Sequence, residues 1–270
     1  MLVLFNTGYR IGYIDNVFRT LFFPKGFENE YRYSVGDGAQ VQKTDIAELR
    51  EQVDQSALIC FGDRFGRIGE DDAYVFYPIR LGRIVDVEER GSKVFIRVEL
   101  GDFVAASSPT KFTESLRRFA EQERFGLLRR GKDAKDTNDG KYAYPTTHED
   151  GIRSAIETGE ECWWTAVKQL AETAAFKTEI GARPLFSRAV FQSSSTALDY
   201  ETVSKAKMAD GDKGRDIKIA VDYYFPAQNE STAAQAEMKV IGAPGAQLIS
   251  QSIFRLGMPQ GRIEIPIVFE

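Results

Sequence analysis

Residues 75–100 read VFYPIRLGRIVDVEERGSKVFIRVEL, and the period of this stretch decides the fold of the first part of the chain. Val75, Tyr77, Ile79, Leu81, Val85 and Val87 share one parity, interrupted by Arg83, while Arg80, Asp86 and Glu88 take the other. After Arg90-Gly91-Ser92 the alternation resumes, with Val94, Ile96, Val98 and Leu100 set against Lys93, Arg97 and Glu99. Successive side chains of a strand point to opposite faces, so the pattern predicts a long antiparallel hairpin with one dry and one wet face. A slip of one residue would turn the whole apolar set into water, which specifies the register. A long, bent hairpin among short strands predicts a curled sheet or small barrel.

Working outward, Leu2 to Phe5 and Thr20 to Phe23 are short apolar runs that fit strands, the second stopped by Pro24 and Gly26. Tyr31 and Tyr33 lead into the turn Gly36-Asp37-Gly38. Asp45 caps one helix with Glu48 as reciprocal partner, and Ile46, Leu49 and Val53 form its stripe. Ala57 to Phe61 returns to strand. Downstream, Ser108-Pro109 opens a helix with the stripe Phe112, Leu116, Phe119 and Ala120, and Gly126 is its stop. Residues 131–145 are polar and read as a loop. Thr146 and Glu149 have capping-box spacing before a stripe of Ile152, Ile156, Gly159, Trp163, Val167, Leu170 and Ala174, which predicts one long helix. Gly181 and Pro184 end the helical region. Strands return at Ile217 to Phe225, at Met238 and Val240, at Leu248 to Phe254 and at Ile263 to Phe269, where Pro266 marks an edge or a bulge. The expected architecture is α+β: a β-rich domain over 1–108, a helical region over 109–180 and an antiparallel sheet of sandwich type over 181–270.

With 270 residues, 43% of them apolar and 28% charged, the chain can bury a core without disulfides or metals. The net charge of −5 argues against a wholesale nucleic-acid coat but leaves room for a local basic groove. The opening MLVLFNTGYR has neither the basic nor the long apolar region of a secretory signal. No run approaches the roughly 18 apolar residues of a spanning helix, so no membrane partner is expected. Cys60 and Cys162 require no disulfide, and a cytoplasmic location is the simpler reading. The chain stops one residue after its last strand, which fits either a terminus held in a sheet or one piece of a longer protein.

Chemistry near neutral pH has few carriers here: one histidine, His148, and those two cysteines. On a continuous helix His148 and Cys162 stand about four turns, or about 20 Å, apart and cannot pair. His148 therefore reads as a surface residue and the cysteines as packing residues. Asp210-Gly211-Asp212 and Asn138-Asp139-Gly140 lack the closing glutamate of a calcium loop, and no other metal spacing occurs. The glycines of Gly62 to Gly69 are not in dinucleotide-binding order and read as an exposed loop between strands.

Asp222 on one strand, with Glu237-Met238-Lys239 on the next, resembles the metal-binding core of PD-(D/E)xK nucleases. The resemblance implies magnesium held by Asp222 and Glu237, with Lys239 orienting water, and Glu157, Glu160 or Glu161 as a further acid. All three core residues also fall opposite the apolar parity, where any half-buried sheet carries charge. Arg117, Arg118, Arg124, Arg129, Arg130 and Lys132 surround Phe119 and Phe125 and would suit phosphates, though Glu121 and Glu123 offset them. Trp164 lies just off the stripe of the long helix, where an exposed tryptophan marks a contact surface. The expected function is a non-enzymatic protein-binding or assembly module, a subunit of a larger complex, with no cofactor. The alternatives are a magnesium-dependent nuclease on Asp222, Glu237 and Lys239, or a nucleic-acid binder using Arg129 and Arg130.

Overall fold

The computed structural model describes residues 1–7, 11–23, 25–36, 39–65, 73–127, 142–173 and 176, together with strands between 186 and 267; for those later strands and for residues 11–15, 64, 65 and 73 the backbone alone is described. The chain forms two compact units, Met1–Gly181 and Ala182–Glu270. The first contains β1 (Leu2–Thr7), α1 (Ile11–Phe22), β2 (Glu28–Ser34), α2 (Ile46–Arg50), β3 (Ser56–Phe65), β4 (Ala73–Arg90), β5 (Lys93–Ala105), α3 (Pro109–Gln122), β6 (Ala143–Pro145), α4 (Glu149–Arg153), β7 (Glu157–Thr158) and α5 (Cys162–Ala171). Its strands make one curled, mixed sheet in the order β2-β5-β4-β3-β1-β6, with β7 paired to β5. β1 and β3 are parallel, and their neighbours run antiparallel. The region 109–180 belongs to this same unit: β6 extends the sheet beyond β1, and the helices cover its faces.

Helices lie on both sides of the sheet. Phe76 meets Phe5 across the strands, and its backbone N–H is held by Thr113 Oγ1 of α3. Phe112, Leu116 and Ala120 of α3 and Ile152 of α4 complete that core. Tyr77, next along β4, points the other way. It meets Phe61, which meets Phe176, which in turn meets Phe18 of α1. On this second side α1 and α5 are joined where Trp163 Nε1 donates to Leu21 O at 2.8 Å.

The hairpin is present as β4 and β5, but its parity differs from the sequence reading. On β5, Val94, Ile96, Val98 and Leu100 are buried as expected. On β4 the buried residues are Tyr74, Phe76, Pro78, Ile79, Arg80, Ile84 and Val87, while Val75, Tyr77, Leu81 and Val85 are partly exposed. The cause is three register shifts, at Ile59/Cys60, Arg80/Gly82 and Ile84/Asp86. Each bulge adds one residue to one strand, so the sides exchange and the strand bends. Gly82 stands at one of them: a Cβ there would lie 2.7 Å from Glu99 O, so the strands approach too closely for any larger residue.

Other expectations are corrected by tertiary contacts. Thr20 to Phe23 belongs to the end of α1 and its exit rather than to a strand, because Val17 and Leu21 bury one helical face. The long helix over 146–174 is broken into α4 and α5: Glu157 and Thr158 leave it to pair with Ala105 and Val104, and Gly159, at φ 157°, donates its N–H to Phe103 O. Asp45 stands at the start of α2 as read, but its side chain does not cap that helix; it closes the short 3-10 turn Lys43–Asp45 instead, accepting from the Gln42 N–H. Ser108 caps α3 as expected, accepting from the Lys111 N–H. Its other end is closed by Arg124 at φ 55°, not by Gly126. Phe125 N–H bonds to Ala120 O and Arg124 N–H to Glu121 O, the paired bonds of a Schellman stop. Residues 62–65 continue β3 rather than forming a loop, and 143–145 form β6.

The second unit contains β8 (Phe186–Ser193), β9 (Ala197–Leu198), β10 (Ile217–Tyr224), β11 (Ala234–Gly242), β12 (Gln247–Leu256) and β13 (Gln260–Ile267). They form an antiparallel sheet in the order β13-β10-β8-β9 and a separate β11-β12 hairpin. Pro266 lies on β13, an edge strand of its sheet.

Candidate functional site

Trp164 is placed by its neighbour in sequence. Trp163 is fully buried between α1 and α5, its indole N–H committed to Leu21 O and its ring 6.2 Å from Phe22. A locked Trp163 leaves Trp164 on the outer flank of α5, partly exposed and edge-on to Trp163 at 4.5 Å between ring centroids. Close to it in sequence Glu157, Glu160, Glu161, Lys168 and Glu172 are exposed. Four of these five are acidic, a balance that suits cationic side chains.

Neither cysteine is poised for chemistry. Burial pushes the Cys60 thiol well up, and Cys162 is raised by burial and then by the Glu161 and Glu157 carboxylates. Both are free thiols. His148 lies flat on Phe119 at 4.8 Å, with Nδ1 3.1 Å from Glu123 Oε1. Burial would raise Glu123, but the backbone and hydroxyl donors of Thr147, with Thr146 and His148, hold it below the ordinary carboxylate range. Glu149 is likewise held down against burial by Arg153 and Ser56, with the Met1 ammonium 3.4 Å away. These groups tie α3, α4 and β3 together. Among the described residues no three His, Cys, Asp or Glu side chains are grouped to hold a metal, and no helix is long and apolar enough to cross a membrane.

The remaining sequence-derived residues are dispersed. Asp222 lies on β10, opposite Arg188 and Arg262, whereas Glu237 and Lys239 lie on β11, opposite Ile253 and Gln251, in the other sheet of the second unit. Their side chains lie outside the described residues. So do Arg129 and Arg130 entirely. Of the basic segment that is described, Arg117 donates to Tyr74 O, Arg118 lies over Phe119, and Arg124 forms the helix stop.

Sequence reading missed the polar end of β1. Asn6 and Thr7 close the run LVLFNT and are only 2% and 3% exposed. Asn6 Nδ2 and Thr7 Oγ1 have no hydrogen-bond partner among the described residues. A buried polar group left unpaired costs about 1–3 kcal/mol, so each calls for a partner. The available signal was two polar residues ending a strand whose other positions are all apolar. A second buried set was missed as well: Tyr31 OH meets Thr20 Oγ1 at 2.7 Å and accepts from Asn29 Nδ2 at 3.0 Å. Burial pushes the Tyr31 phenol up to about 12, against the lowering effect of Thr20, Asn29 and Arg80.

Comparison with protein-family models, curated proteins and solved structures finds no match to this chain.

Proposed function

We propose that this chain is a non-enzymatic binding module, a cytoplasmic subunit of a larger complex, whose contact surface centres on Trp164. The observation that carries the reading is the coupling of the two tryptophans: Trp163 is buried and hydrogen-bonded in the core, and Trp164 packs edge-on against it while remaining partly exposed. A rigid aromatic loses little conformational freedom on binding, which is why tryptophan dominates contact energies. The glutamates close to it in sequence select a protein segment bearing lysine or arginine, whose cation would lie over the indole. The second unit would support such assembly as a β-sandwich; its two separate sheets within one compact unit favour that arrangement.

The test is affinity capture from the native cells with the parent chain and with Trp164→Ala. The variant should unfold like the parent yet retain a protein partner about 30-fold less well, a loss of about 2 kcal/mol. Reversing Glu160 and Glu161 to lysine should weaken the same complex. A partner bound equally by the parent and by Trp164→Ala would remove this reading.

A further inference from the structure

The two edges of the first sheet differ. β6, at one edge, is 3 residues long and ends in Pro145, a length and a residue that discourage further pairing. β2, at the other, runs for 7 residues without a proline. Its pairing with β5 fixes which backbone groups face outward. Leu100 N–H donates to Phe27 O and Val35 N–H to Ser92 O, both in the register that sets Tyr31 opposite Ile96. Asn29, Tyr31 and Tyr33 therefore bond to β5, and Glu28, Glu30, Arg32 and Ser34 turn their N–H and C=O away from it. Ser34 uses both: its N–H donates to Gln40 Oε1 at 2.8 Å, and its oxygen accepts from the Val41 N–H at 3.0 Å. The outward backbone groups of Glu28, Glu30 and Arg32 have no partner among the described residues.

The side chains on this edge are self-complementary. Glu28, Glu30 and Arg32 share the outer side of the sheet, since Asn29, Tyr31 and Tyr33 between them are buried. Glu28 and Arg32 are exposed, and Arg32 has no ion pair among the described residues. A second, antiparallel β2 related by a two-fold axis at Glu30 would set Glu28 of each copy opposite Arg32 of the other. The same register matches all the free outward residues as hydrogen-bonded pairs, about six backbone bonds. Arg90, 3.6 Å from Glu30, supplies a cation beside the two central glutamates. Ser34 of one copy would come opposite Gly26 of the other, where even a Cβ would find open space. A slip of one residue would oppose outward groups to inward ones and forfeit the bonds. A slip of two would set Glu28 against Ser34, whose groups are already used, or against Glu30, a like charge.

We propose that β2 is a self-association edge, joining two copies of this chain antiparallel about Glu30, with Glu28 of each against Arg32 of the other. Asn29, Tyr31 and Tyr33 are already covered by their own chain, so the junction gains backbone bonds and ion pairs but little apolar burial. The association is therefore weak, with a dissociation constant on the order of 10 µM. It does not rest on the Trp164 surface.

Sedimentation of the full chain from about 1 to about 200 µM should show a monomer–dimer equilibrium. Hydrogen exchange followed across that range should slow at the amides of Glu28, Glu30 and Arg32 as the dimer fills, with those of Tyr31 and Tyr33 unchanged. Glu30→Pro removes an outward N–H and spares the bonds to β5, and it should raise the dissociation constant about tenfold or more. Charge carries the test if the proline variant does not fold. Arg32→Glu alone and Glu28→Arg alone should each fail to dimerise, whereas their mixture should dimerise, because every charge at positions 28 and 32 then faces its opposite. The proposal is overturned if the chain is monomeric throughout, or if the dimer persists in folded Glu30→Pro or in both charge variants.

Discussion

In the half of the β4–β5 hairpin formed by residues 84–90 and 93–98, one side is dry and the other wet. Ile84, Val87, Val94, Ile96 and Val98 are buried. Outside, Arg90 pairs with Glu88 and Glu30, and Arg97 with Asp86 and Glu28. In the half formed by residues 74–82 and 99–105, helices press on both sides, and the bulge at Arg80/Gly82 reverses the side chains. Charge is distributed accordingly. Arg97 is exposed among carboxylates, whereas Arg80 is 1% exposed, lies 4.1 Å over the Phe103 ring and donates to Gly101 O, Thr20 O and Phe23 O. The same residue type within one hairpin is a solvated surface group on β5 and a structural bolt on β4. What differs is what covers it.

Arg80→Met is the most severe way to break this comparison. The carbonyls of Thr20 and Phe23 stand at the end of α1, where four backbone oxygens have no partner within the helix and the dipole is negative. Methionine fills much of the volume but leaves those oxygens and Gly101 O without the guanidinium. At about 1–3 kcal/mol for each stranded group, a non-additive total of about 4 kcal/mol is expected. Urea unfolding would measure it, and a loss below about 1 kcal/mol would show that Arg80 is not what anchors α1 to the sheet.

Half-buried charge should lie between these extremes, and Glu123 and Glu149 supply it. Both are held below the ordinary carboxylate range in the fold, after burial is overcome by their hydrogen bonds. A carboxylate with a depressed folded pKa binds its proton more readily when the chain is unfolded. Its contribution is complete above the unfolded value of about 4.3 and is lost as pH falls through the lower folded value. The midpoint of thermal unfolding should therefore hold steady above about pH 5 and drop below it. Replacing Glu123 and Glu149 together by glutamine should lower stability at neutral pH and flatten that acid-side decline. An undiminished decline in the double variant would assign it to other carboxylates.

What was legible in the sequence follows the same division. From Val94 to Leu100 the buried positions of β5 were read correctly, because alternate positions separate core from water; its continuation to Ala105, where the alternation breaks, was not read. The Ser108-Pro109 start of α3 was equally plain, since a cap is local chemistry. The exchange of sides on β4 was not legible: a bulge is chosen by strand pairing, and Gly82 with Gly101 opposite were its local signs. The stripe from Ile152 to Ala174 was read as continuous although Glu157 and Thr158 leave the helix for a strand partner some fifty residues earlier, a contact no local period encodes. The offset of Trp164 from that stripe is preserved in α5, which leaves it partly exposed. Asn6 escaped notice because its burial depends on the pairing of β1 with β3, which sets it beside Phe61 and which no local pattern encodes.

Arg97→Ala is the mildest change and tests the solvated half directly. Arg97 Nη2 reaches Asp86 Oδ2 at 2.9 Å and Nη1 lies 3.7 Å from Glu28 Oε2, yet the arginine is 44% exposed and its partners 42% and 49%. In that setting water already serves each group, and holding three flexible side chains in one geometry costs entropy that offsets the attraction. The variant should lose no more than about 0.5 kcal/mol, and the small difference from the parent should shrink further as salt is added. A loss above about 1.5 kcal/mol that resists salt would mean that the outer ion pairs behave as covered charge, and the contrast with Arg80 would then rest on depth within the same network rather than on exposure to water.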